Sequence, residues 1–498
     1  MSTSSLDQKQ YFNYIGGEWV SAADGRASEN LDPANGQLLG YFPRSAQVDV
    51  DRAVAAARAA WRDWRLTPAP KRGEILYRVG MLLTERKEEI ARALTSEMGK
   101  VLVEARGDVQ EGIDMAFYMA GEGRRLMGAI VPSELPNKAA YGVREPIGVV
   151  ACITPWNFPV AIPSWKSMAA LIAGNTVVFK PATDTPLSAV KLVEVFADAG
   201  LPPGVLNLVA GTGPEVGMPL VSHPDVAAIS FTGSNQVGRD VNVEAARQLK
   251  RVTLELGGKN AIIVMDDADL DLALDGIIWS AFGTTGQRCT ACSRLIVQKG
   301  VRAQLEERLL ERMASLRLGH GLEATTDVGP VINAGQRDRI HSYMAVATGE
   351  GAHILAGGEA ARDGDLAHGT FYKPTLLGGV QPQMRVAREE IFGPVLSVIE
   401  IESLEEAIAV NNDTPYGLSS SIFTSNVNTA EVAKRDLASG IVYVNAGTIG
   451  AEIQLPFGGV RGTGNGHREA GLGALEFFTE WKAIYVDYSG RLQRAQID

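Results

Sequence analysis

The chain has 498 residues, more than the ~250 to 300 at which a single hydrophobic core stops growing, so at least two domains are expected. Hydrophobic residues make up 45% and charged residues 21% of the sequence, which excludes disordered, collagen-like and coiled-coil proteins. The net charge of −11 argues against nucleic-acid partners, and neither an apolar run of ~18 residues nor a signal-peptide pattern occurs. We therefore expect a globular, cytoplasmic protein without nucleic-acid or membrane partners.

The first half of the chain is predicted to contain helices and then alternating strands and helices. Residues 50–127 have helical patterns, including one long helix over residues 71–99. Over residues 147–264, β-branched runs alternate with helical patterns, which is typical of right-handed βαβ units on a parallel sheet. Two of these helices are predicted to end at Gly174 and Gly200, because glycine adopts the left-handed C-terminal conformation without strain.

After Leu270 the alternation of strands and helices resumes, so two α/β lobes are expected. Two segments fit neither lobe: residues 130–146 are predicted to form an extended hairpin, and residues 480–487 a lone strand. Unpaired strands of this kind commonly find partners in another subunit. We therefore expect a homo-oligomer.

The three cysteines, Cys152, Cys289 and Cys292, are too few for a disulfide framework. Cys289 follows Gly283 and Gly286, and glycines at these positions allow a substrate or cofactor to approach the thiol. Considered alone, a cysteine is more often a small buried hydrophobic residue. No second CxxC or paired histidine accompanies Cys289 and Cys292, so we expect no metal site and a structural Cys292, with a redox function as the alternative.

Polar residues follow several predicted strands. Glu255 would face the crevice at the carboxyl ends of parallel strands, where it could act as a general base or remain a solvated turn residue. Asn157 could donate a hydrogen bond to an oxyanion or serve only as a turn former. In the segment FTGSNQVG, Gly233 and Ser234 open a helix whose N-terminus suits a pyrophosphate, although the GxGxxG fingerprint is missing.

Eight segments resemble, in their order and spacing, the aldehyde dehydrogenase superfamily over nearly the whole chain. They are ITPWNFP, VVFKPA, FTGS, LELGGKN, GQRC, EEIFGPV, PFGGVRGTG and REAG. Within that family, GQRCTA and AGEGRRL are similar to segments of semialdehyde dehydrogenases that oxidise 2-oxoglutarate semialdehyde. The resemblance implies an enzyme that oxidises an aldehyde to a carboxylic acid with NAD or NADP.

The resemblance also implies the architecture, an α/β fold with two parallel-sheet lobes and a small β oligomerisation arm. Residues 1–129 and 147–256 would form a dinucleotide-binding domain, and residues 257–479 a catalytic domain. Residues 130–146 and 480–498 would form the arm of a homodimer or homotetramer.

Four residues match the family's catalytic positions. Cys289 would attack the aldehyde carbonyl to give a thiohemiacetal, whose oxyanion Asn157 and the Cys289 backbone N–H would hold. After hydride transfer, Glu255 would activate the water that hydrolyses the thioester. Glu469 matches a second carboxylate that assists proton transfer.

The positions that match the family's cofactor site begin in the first lobe and continue in the second. Lys180 would bond the adenosine ribose, while Glu390 and Phe392 would position the nicotinamide ribose and ring. Thr183 stands where members that strongly prefer NAD carry a glutamate, so a 2′-phosphate would not be repelled and NADP is admissible. The remaining expected cofactor positions are Trp156, Thr232, Gly233, Ser234 and Leu256.

The sequence indicates less clearly which residues would bind the end of the substrate that lies away from the aldehyde. Trp165 stands where succinate semialdehyde enzymes have an arginine, so Arg288 is the candidate partner for a substrate carboxylate. The Arg288 guanidinium could instead be structural or lower the thiol pKa. An aliphatic or aromatic aldehyde, a CoA-acylating relative and a catalytically idle binding protein are the alternatives, and Glu255 speaks against the acylating branch.

Overall fold

The structure is a computed structural model that describes residues 9–497. The outermost parts of the predicted domains, residues 1–8 and Asp498, lie outside the described residues, as does most of the segment judged for a signal peptide. In chain order the strands are β1 (Asn13–Ile15), β2 (Glu18–Val20), β3 (Ala27–Leu31), β4 (Leu38–Pro43), β5 (Ala129–Val131), β6 (Lys138–Pro146), β7 (Val149–Ile153), β8 (Thr176–Lys180), β9 (Leu206–Leu208), β10 (Val226–Thr232), β11 (Arg251–Glu255), β12 (Asn260–Val264), β13 (Cys292–Gln298), β14 (His353–Ala356), β15 (Thr375–Gly378), β16 (Val395–Ile401), β17 (Ser419–Phe423), β18 (Ile441–Val444) and β19 (Thr479–Asp487).

The helices pack on the faces of these sheets. In chain order they are α1 (Gln47–Trp64), α2 (Ala69–Glu85), α3 (Lys87–Met98), α4 (Leu102–Glu122), α5 (Ala161–Ala173), α6 (Pro186–Asp198), α7 (Met218–Ser222), α8 (Asn235–Ala246), α9 (Leu270–Phe282), α10 (Lys299–Ala314), α11 (Ala334–Gly349), α12 (Arg385–Arg388), α13 (Leu404–Asn412), α14 (Val427–Asp436) and α15 (Gly473–Phe477). Within residues 9–497, no helix is both long enough and apolar enough to cross a membrane.

The first sheet has the strand order β11-β10-β7-β8-β9-β1-β2. The strands from β11 to β9 are parallel to their neighbours, whereas β1 pairs antiparallel with both β9 and β2. Every residue of β7 and β8 is buried, as expected for parallel strands covered by helices on both faces. The predicted parallel arrangement of this lobe is therefore confirmed.

The second sheet has the order β14-β15-β16-β13-β12-β17-β18, and all its pairs are parallel except that of β14 and β15. The sequence pattern over residues 147–264 places β12 in series with the first set of strands, but β12 lies between β13 and β17 of the second sheet. The chain crosses between the two sheets through Gly257 and Gly258. Two α/β lobes are thus present, as predicted.

A three-stranded antiparallel sheet has the order β19-β6-β5. The predicted hairpin is confirmed, because β5 pairs with β6. The prediction of a lone strand at residues 480–487 is wrong, since β19 pairs with β6 along its whole length, from Thr479 opposite Pro146 to Asp487 opposite Lys138. Two strands from distant parts of the chain can therefore satisfy each other's hydrogen bonds. Strand β19 nevertheless forms an edge of this sheet.

Two helices of the first lobe end where the sequence pattern predicts, whereas the predicted long helix over residues 71–99 does not form as one helix. Gly174 and Gly200 have φ angles of 98° and 79°, in the left-handed region predicted for both. The predicted long helix over residues 71–99 is instead divided into α2 and α3. Arg86, between them, has φ −97° and ψ 8°, and its guanidinium forms a 2.6 Å ion pair with Asp198.

Candidate active site

Two cavities meet at Cys289, beside the carboxyl ends of the first sheet's parallel strands. One encloses about 580 Å³ of space and the other about 650 Å³, with the open solvent at their mouths included. Both are lined by Ile162, Thr232, Leu256 and Cys289. A ligand in either cavity can therefore reach the Cys289 thiol, which is half-buried. We refer to the smaller as the substrate cavity and to the larger as the cofactor cavity.

The backbone before Cys289 forms a strained turn. Thr284, Thr285 and Gly286 have φ angles of 51°, 57° and 66°, and left-handed threonines are uncommon. The buried Glu104 side chain stabilises this turn, because the Thr284 N–H donates to its two oxygens over 2.8 and 3.0 Å. Gly286 is required, since a Cβ there would lie 2.2 Å from the Gly393 carbonyl oxygen.

A second set of contacts holds Cys289 itself. Asn260 Nδ2 donates to the Cys289 carbonyl over 2.6 Å, and Asn260 Oδ1 accepts from the Ser419 N–H over 3.0 Å. A Cβ at Gly258 would lie 2.7 Å from the same Cys289 carbonyl. The nucleophile loop is therefore fastened to the start of β12 and to β17, which gives the thiol a fixed position.

Burial raises the pKa of the Cys289 thiol to about 12, and the carboxylates of Glu390 and Glu255 add to the effect. The thiol is thus protonated at neutral pH and needs a proton acceptor before it can attack. Cys292 lines neither of the two cavities and is buried, with its thiol donating to the Arg294 carbonyl over 3.3 Å. This placement agrees with the structural interpretation of Cys292.

Glu255 ends β11, where it pairs with Thr232 of β10, and it lines the substrate cavity together with Cys289. It is 3% exposed, and neither of its carboxyl oxygens has a hydrogen-bond partner among residues 9–497. Burial, and then the charge of Glu469, raise the pKa of Glu255 well above its usual range. A carboxyl group of this kind is poised to exchange a proton with a ligand.

Glu469 also lines the substrate cavity, but its carboxylate is occupied. Lys166 forms an ion pair with Glu469 Oε1, and Ser230 Oγ donates to the same oxygen over 3.2 Å. Lys166 also donates to Ser230 over 3.0 Å. The sequence analysis did not identify Lys166, which lies within the buried helix α5, and nothing in the local pattern distinguishes it from a surface lysine.

Asn157 follows β7 and lines the cofactor cavity together with Cys289. Its Oδ1 is buried and lacks a hydrogen-bond partner in the described chain. The buried Lys100 holds the backbone here, donating to the Asn157 carbonyl over 2.6 Å and to Asp108 over 3.0 Å. Asp108 in turn accepts from the Ala161 N–H over 2.7 Å. This second ion pair fixes the loop from which the Asn157 amide projects.

Most of the predicted cofactor residues line the cofactor cavity. Glu390 accepts from the Gly258 N–H over 3.0 Å, and burial raises the pKa of Glu390. The ring centroids of Trp156 and Phe392 lie 5.3 Å apart in an edge-on arrangement. The predicted positions that line this cavity are Trp156, Thr232, Gly233, Ser234, Leu256, Glu390 and Phe392.

Features of this cavity fit a nicotinamide dinucleotide. A Cβ at Gly257 would lie 2.2 Å from a Glu390 carboxyl oxygen, so a side chain there would displace the Glu390 carboxylate. Thr232 Oγ1 is buried without a hydrogen-bond partner in the described chain. Ser234 caps the N-terminus of α8, where free N–H groups and the helix dipole favour a phosphate.

The other two predicted cofactor residues, Lys180 and Thr183, line neither cavity. Lys180 ends β8, where it is buried and donates to the Pro181 carbonyl over 2.7 Å. Burial lowers the pKa of Lys180 to about 8. Thr183 is exposed, and its hydroxyl donates to the Gly211 carbonyl over 3.4 Å. Lys180 ends β8, the strand beside β7, and Thr183 follows it, so both lie on the same edge of the sheet as Asn157.

Arg288 and Trp165, the predicted substrate residues, both line the substrate cavity. Arg288 Nη2 lies 3.2 Å from Glu104 Oε1, and its Nε donates to Thr284 Oγ1 over 2.9 Å. The guanidinium is therefore part of the turn that precedes Cys289, although it also faces the cavity. Trp165 packs edge-on against Phe457, with ring centroids 5.1 Å apart.

Several residues of the substrate cavity were missed by the sequence analysis. They include Glu111 of α4 and the aromatic residues Phe158 and Phe457. A signal existed for Glu111, because Glu104, Asp108 and Glu111 are spaced to share one face of a helix whose neighbouring residues are apolar. Among residues 9–497, no group of three or more His, Cys, Asp or Glu side chains could hold a metal ion.

Comparison with known proteins agrees with this geometry. Residues 19–484 match the aldehyde dehydrogenase family. The chain is 43% identical over 481 residues to an alpha-ketoglutaric semialdehyde dehydrogenase of Bacillus subtilis, covering 96% of this chain and 99% of that protein. It is 42% identical over 478 residues to an alpha-ketoglutarate semialdehyde dehydrogenase of Haloferax volcanii, with the same coverage.

The fold is similar to that of a solved betaine aldehyde dehydrogenase from Staphylococcus aureus in complex with NAD+. The TM-score is 0.95 at 36% identity, and the match covers 97% of this chain and 96% of the other. These matches cover nearly the whole length of the chain, and the site geometry is consistent with them. The chain belongs to the aldehyde dehydrogenase family and is an enzyme that oxidises an aldehyde with a nicotinamide cofactor.

Proposed function

We propose that the enzyme oxidises a semialdehyde with a distal carboxylate, of the 2-oxoglutarate semialdehyde class, to the corresponding dicarboxylic acid. The observation that carries the proposal is the position of Cys289 at the junction of the two cavities, with Glu255 in the same wall. The substrate class is supported by the two semialdehyde dehydrogenases to which the chain is similar and by Arg288 at the substrate cavity.

The reaction begins with loss of the Cys289 proton. Glu255 is an unpaired carboxyl group of the substrate cavity whose charge acts on the Cys289 thiol, so in its ionised form it is the acceptor for this proton. The Cys289 sulfur then forms a bond to the aldehyde carbon, and the carbonyl π electrons move to the oxygen. Asn157 and the Cys289 backbone N–H donate hydrogen bonds to that oxyanion, as such a developing charge requires.

A nicotinamide cofactor held beside Glu390 and Phe392 would supply the acceptor for the hydride of the tetrahedral carbon. Glu255 first releases the Cys289 proton to solvent. Water then cleaves the cysteine thioester that remains, and Glu255 takes a proton from that water. Collapse of the second tetrahedral adduct breaks the C–S bond and releases the carboxylic acid. The ion-paired Glu469 borders the same cavity and raises the basicity of Glu255 through its charge.

The cofactor cavity and Lys180 would hold NAD or NADP. The absence of a carboxylate at Thr183, whose hydroxyl bonds only the Gly211 carbonyl, supports the use of NADP as well as NAD, because no negative charge there repels a 2′-phosphate. Residues 1–129 and 147–256 would serve as the dinucleotide-binding domain and residues 257–479 as the catalytic domain.

We also propose that the protein is a homodimer or homotetramer. Strand β19 is an edge strand on which Trp481 and Tyr485 are 57% and 66% exposed, and Ile130 on β5 is 93% exposed. An open edge with large apolar side chains is suited to pairing with a second chain. Residues 130–146 and 480–498 would form the arm that makes this contact.

The test is nicotinamide reduction, followed by absorbance, with a panel of carboxylated, aliphatic and aromatic aldehydes and both cofactors. The carboxylated semialdehyde should give the highest kcat/KM. Cys289→Ala should abolish turnover, whereas the matched control Cys292→Ala should keep most of it, because Cys292 lines neither cavity. Equal losses in the two variants would refute Cys289 as the nucleophile.

The aromatic side chains of the substrate cavity favour one alternative substrate class. Phe158, Trp165 and Phe457 all line it, and an aromatic or long aliphatic aldehyde would be buried among them. A higher kcat/KM for such an aldehyde than for the carboxylated one would identify this class as the substrate instead.

A further inference from the structure

Helix α4 presents three carboxyl groups on one face, at Glu104, Asp108 and Glu111. Two of them are matched by cations: Glu104 pairs with Arg288 over 3.2 Å, and Asp108 pairs with Lys100 over 3.0 Å. No hydrogen bond or ion pair joins the Glu111 carboxyl to another residue of the described chain 9–497. Glu111 is therefore the surplus acid of this group.

Glu111 reaches the substrate cavity because α4 packs tightly against α5. At the adjacent Gly112 a Cβ would lie 3.1 Å from Ser164 Oγ and 3.3 Å from a Val160 methyl group, so a larger residue would push these neighbours away by a few tenths of an ångström. The Glu111 carboxyl then lines the same cavity as Arg288 and Cys289. An unpaired acid in an apolar wall is expected to hold its proton, because burying an isolated charge is costly.

Arg288 also has hydrogen-bonding capacity to spare. Its Nε and Nη2 bond Thr284 and Glu104, while Nη1 bonds no residue between positions 9 and 497. Arg288 and Glu111 both line the cavity, and, with Glu111 protonated, each has a donor hydrogen that no residue of the described chain accepts. A carboxylate supplies acceptors for both donors at once.

We propose that Glu111, in its protonated form, is a substrate-binding residue that donates a hydrogen bond to the distal carboxylate held by Arg288. The inference rests on the proposed function and extends it. Once ionised, Glu111 accepts only, and its charge repels the substrate carboxylate. Recognition of the carboxylated substrate is therefore lost as Glu111 ionises, whereas a neutral aldehyde is unaffected at this group.

The charged and titratable groups around Glu111 place its ionisation in a pH range in which the enzyme can be assayed. Burial raises the pKa of Glu111 to about 8, Asp108 and Asp114 of the same helix add to the effect, and Arg288 and Lys100 oppose it. From β18, Tyr443 faces the same region, and burial raises the pKa of Tyr443 to about 12, with Glu452 as a further acidic neighbour. Tyr443 therefore stays neutral while Glu111 titrates.

The experiment measures KM for glutaric semialdehyde and for neutral pentanal at several pH values. For a group with a pKa near 8, the protonated fraction falls from about nine-tenths at pH 7 to about one-tenth at pH 9. The ratio of the two KM values should therefore rise about tenfold. Titration of Cys289 or Glu255 affects both aldehydes and cancels in this ratio.

Glu111→Gln keeps a neutral donor at the position, so the KM ratio should stay low and constant over this range. The matched control is Glu85→Gln, which removes an exposed acid from the neighbouring helix α2 and should follow the wild type. A ratio that does not change with pH in the wild type, or that rises equally in Glu111→Gln, would overturn the inference. The wild-type profile decides even if Glu111→Gln fails to fold.

Two further outcomes separate this inference from the proposed function. Equal KM values for the two aldehydes at pH 7 would contradict the carboxylated substrate class itself. A low KM for an aminoaldehyde at pH 9, lost in Glu111→Gln, would show that Glu111 binds a cationic substrate, and would overturn the inference. A preference for the carboxylated aldehyde at pH 7 that persists unchanged at pH 9 contradicts the Glu111 inference alone.

Discussion

Glu255 has two buried carboxyl oxygens without a partner among residues 9–497, and its pKa is raised by burial and by Glu469. A general base acts only when it is ionised. Because the pKa of Glu255 is raised, a larger fraction of it is ionised, and therefore active, only at higher pH. We therefore expect kcat to be low below the raised pKa of Glu255, where the carboxyl group is protonated, and to rise as the pH passes through that pKa. Glu255→Gln should abolish this rise and slow deacylation by about 10² or more.

Rapid mixing distinguishes deacylation from the earlier steps. Glu255→Gln should give an initial burst of reduced nicotinamide, close to one per active site, followed by slow turnover, because the thioester forms but is not hydrolysed. The experiment is run at high pH, where hydroxide can take the Cys289 proton in place of Glu255. A steady rate equal to that of the wild type would show that another group activates the water.

Residues of the site on loops after strands were more readily predicted than those within helices. Asn157, Glu255 and Thr232 follow or end parallel strands, and the carboxyl ends of such strands meet at one edge. Glu111 and Lys166 lie inside helices α4 and α5, where a sequence does not reveal which neighbouring loop will cover each face. Their placement depends on helix packing, such as the close approach at Gly112.

At the scale of the elements, Lys100 connects the α3–α4 corner with the loop that carries Asn157. Lys100→Met should lower kcat through slower acylation, because the Asn157 carbonyl loses its anchor and the amide its orientation. It should also destabilise the fold by about 3–5 kcal/mol, since Asp108 is left buried without a cation. Burst kinetics and thermal unfolding measure the two effects separately.

A second variant separates positioning from stability. Asp108→Asn retains an oxygen that can accept from the Ala161 N–H but removes the buried charge. The double variant Lys100→Met/Asp108→Asn should therefore recover much of the stability and none of the acylation rate. Full recovery of the acylation rate with the stability would mean that Lys100 serves the fold only.

Local patterns predicted most individual strands and helices but not the sheet to which each belongs. Strand β12 follows β11 after only four residues, Leu256 to Lys259, yet joins the other sheet. The two glycines of that connection permit the crossing, and no periodicity in the strands records it. The pairing of β19 with β6 likewise depends on a contact between distant parts of the chain.

At the scale of the whole molecule, the β19-β6-β5 sheet is too thin to be an independent domain and has exposed apolar side chains. Among residues 9–497, no further strand pairs with the outer edge of β19, so its outward N–H and C=O groups are available. Two copies of the chain that pair through this edge would satisfy those groups and cover Trp481 and Tyr485.

Trp481→Glu should therefore weaken assembly, because a charge directed into an apolar contact between copies must be desolvated. Light scattering coupled to size exclusion should give a dimer or tetramer for the wild type and a smaller species for the variant. Trp279→Glu is the matched control, since Trp279 is 48% exposed on α9, in the other lobe. A wild-type protein that elutes as a monomer at all concentrations would contradict the proposed assembly, and an unchanged mass in Trp481→Glu would place the contact elsewhere.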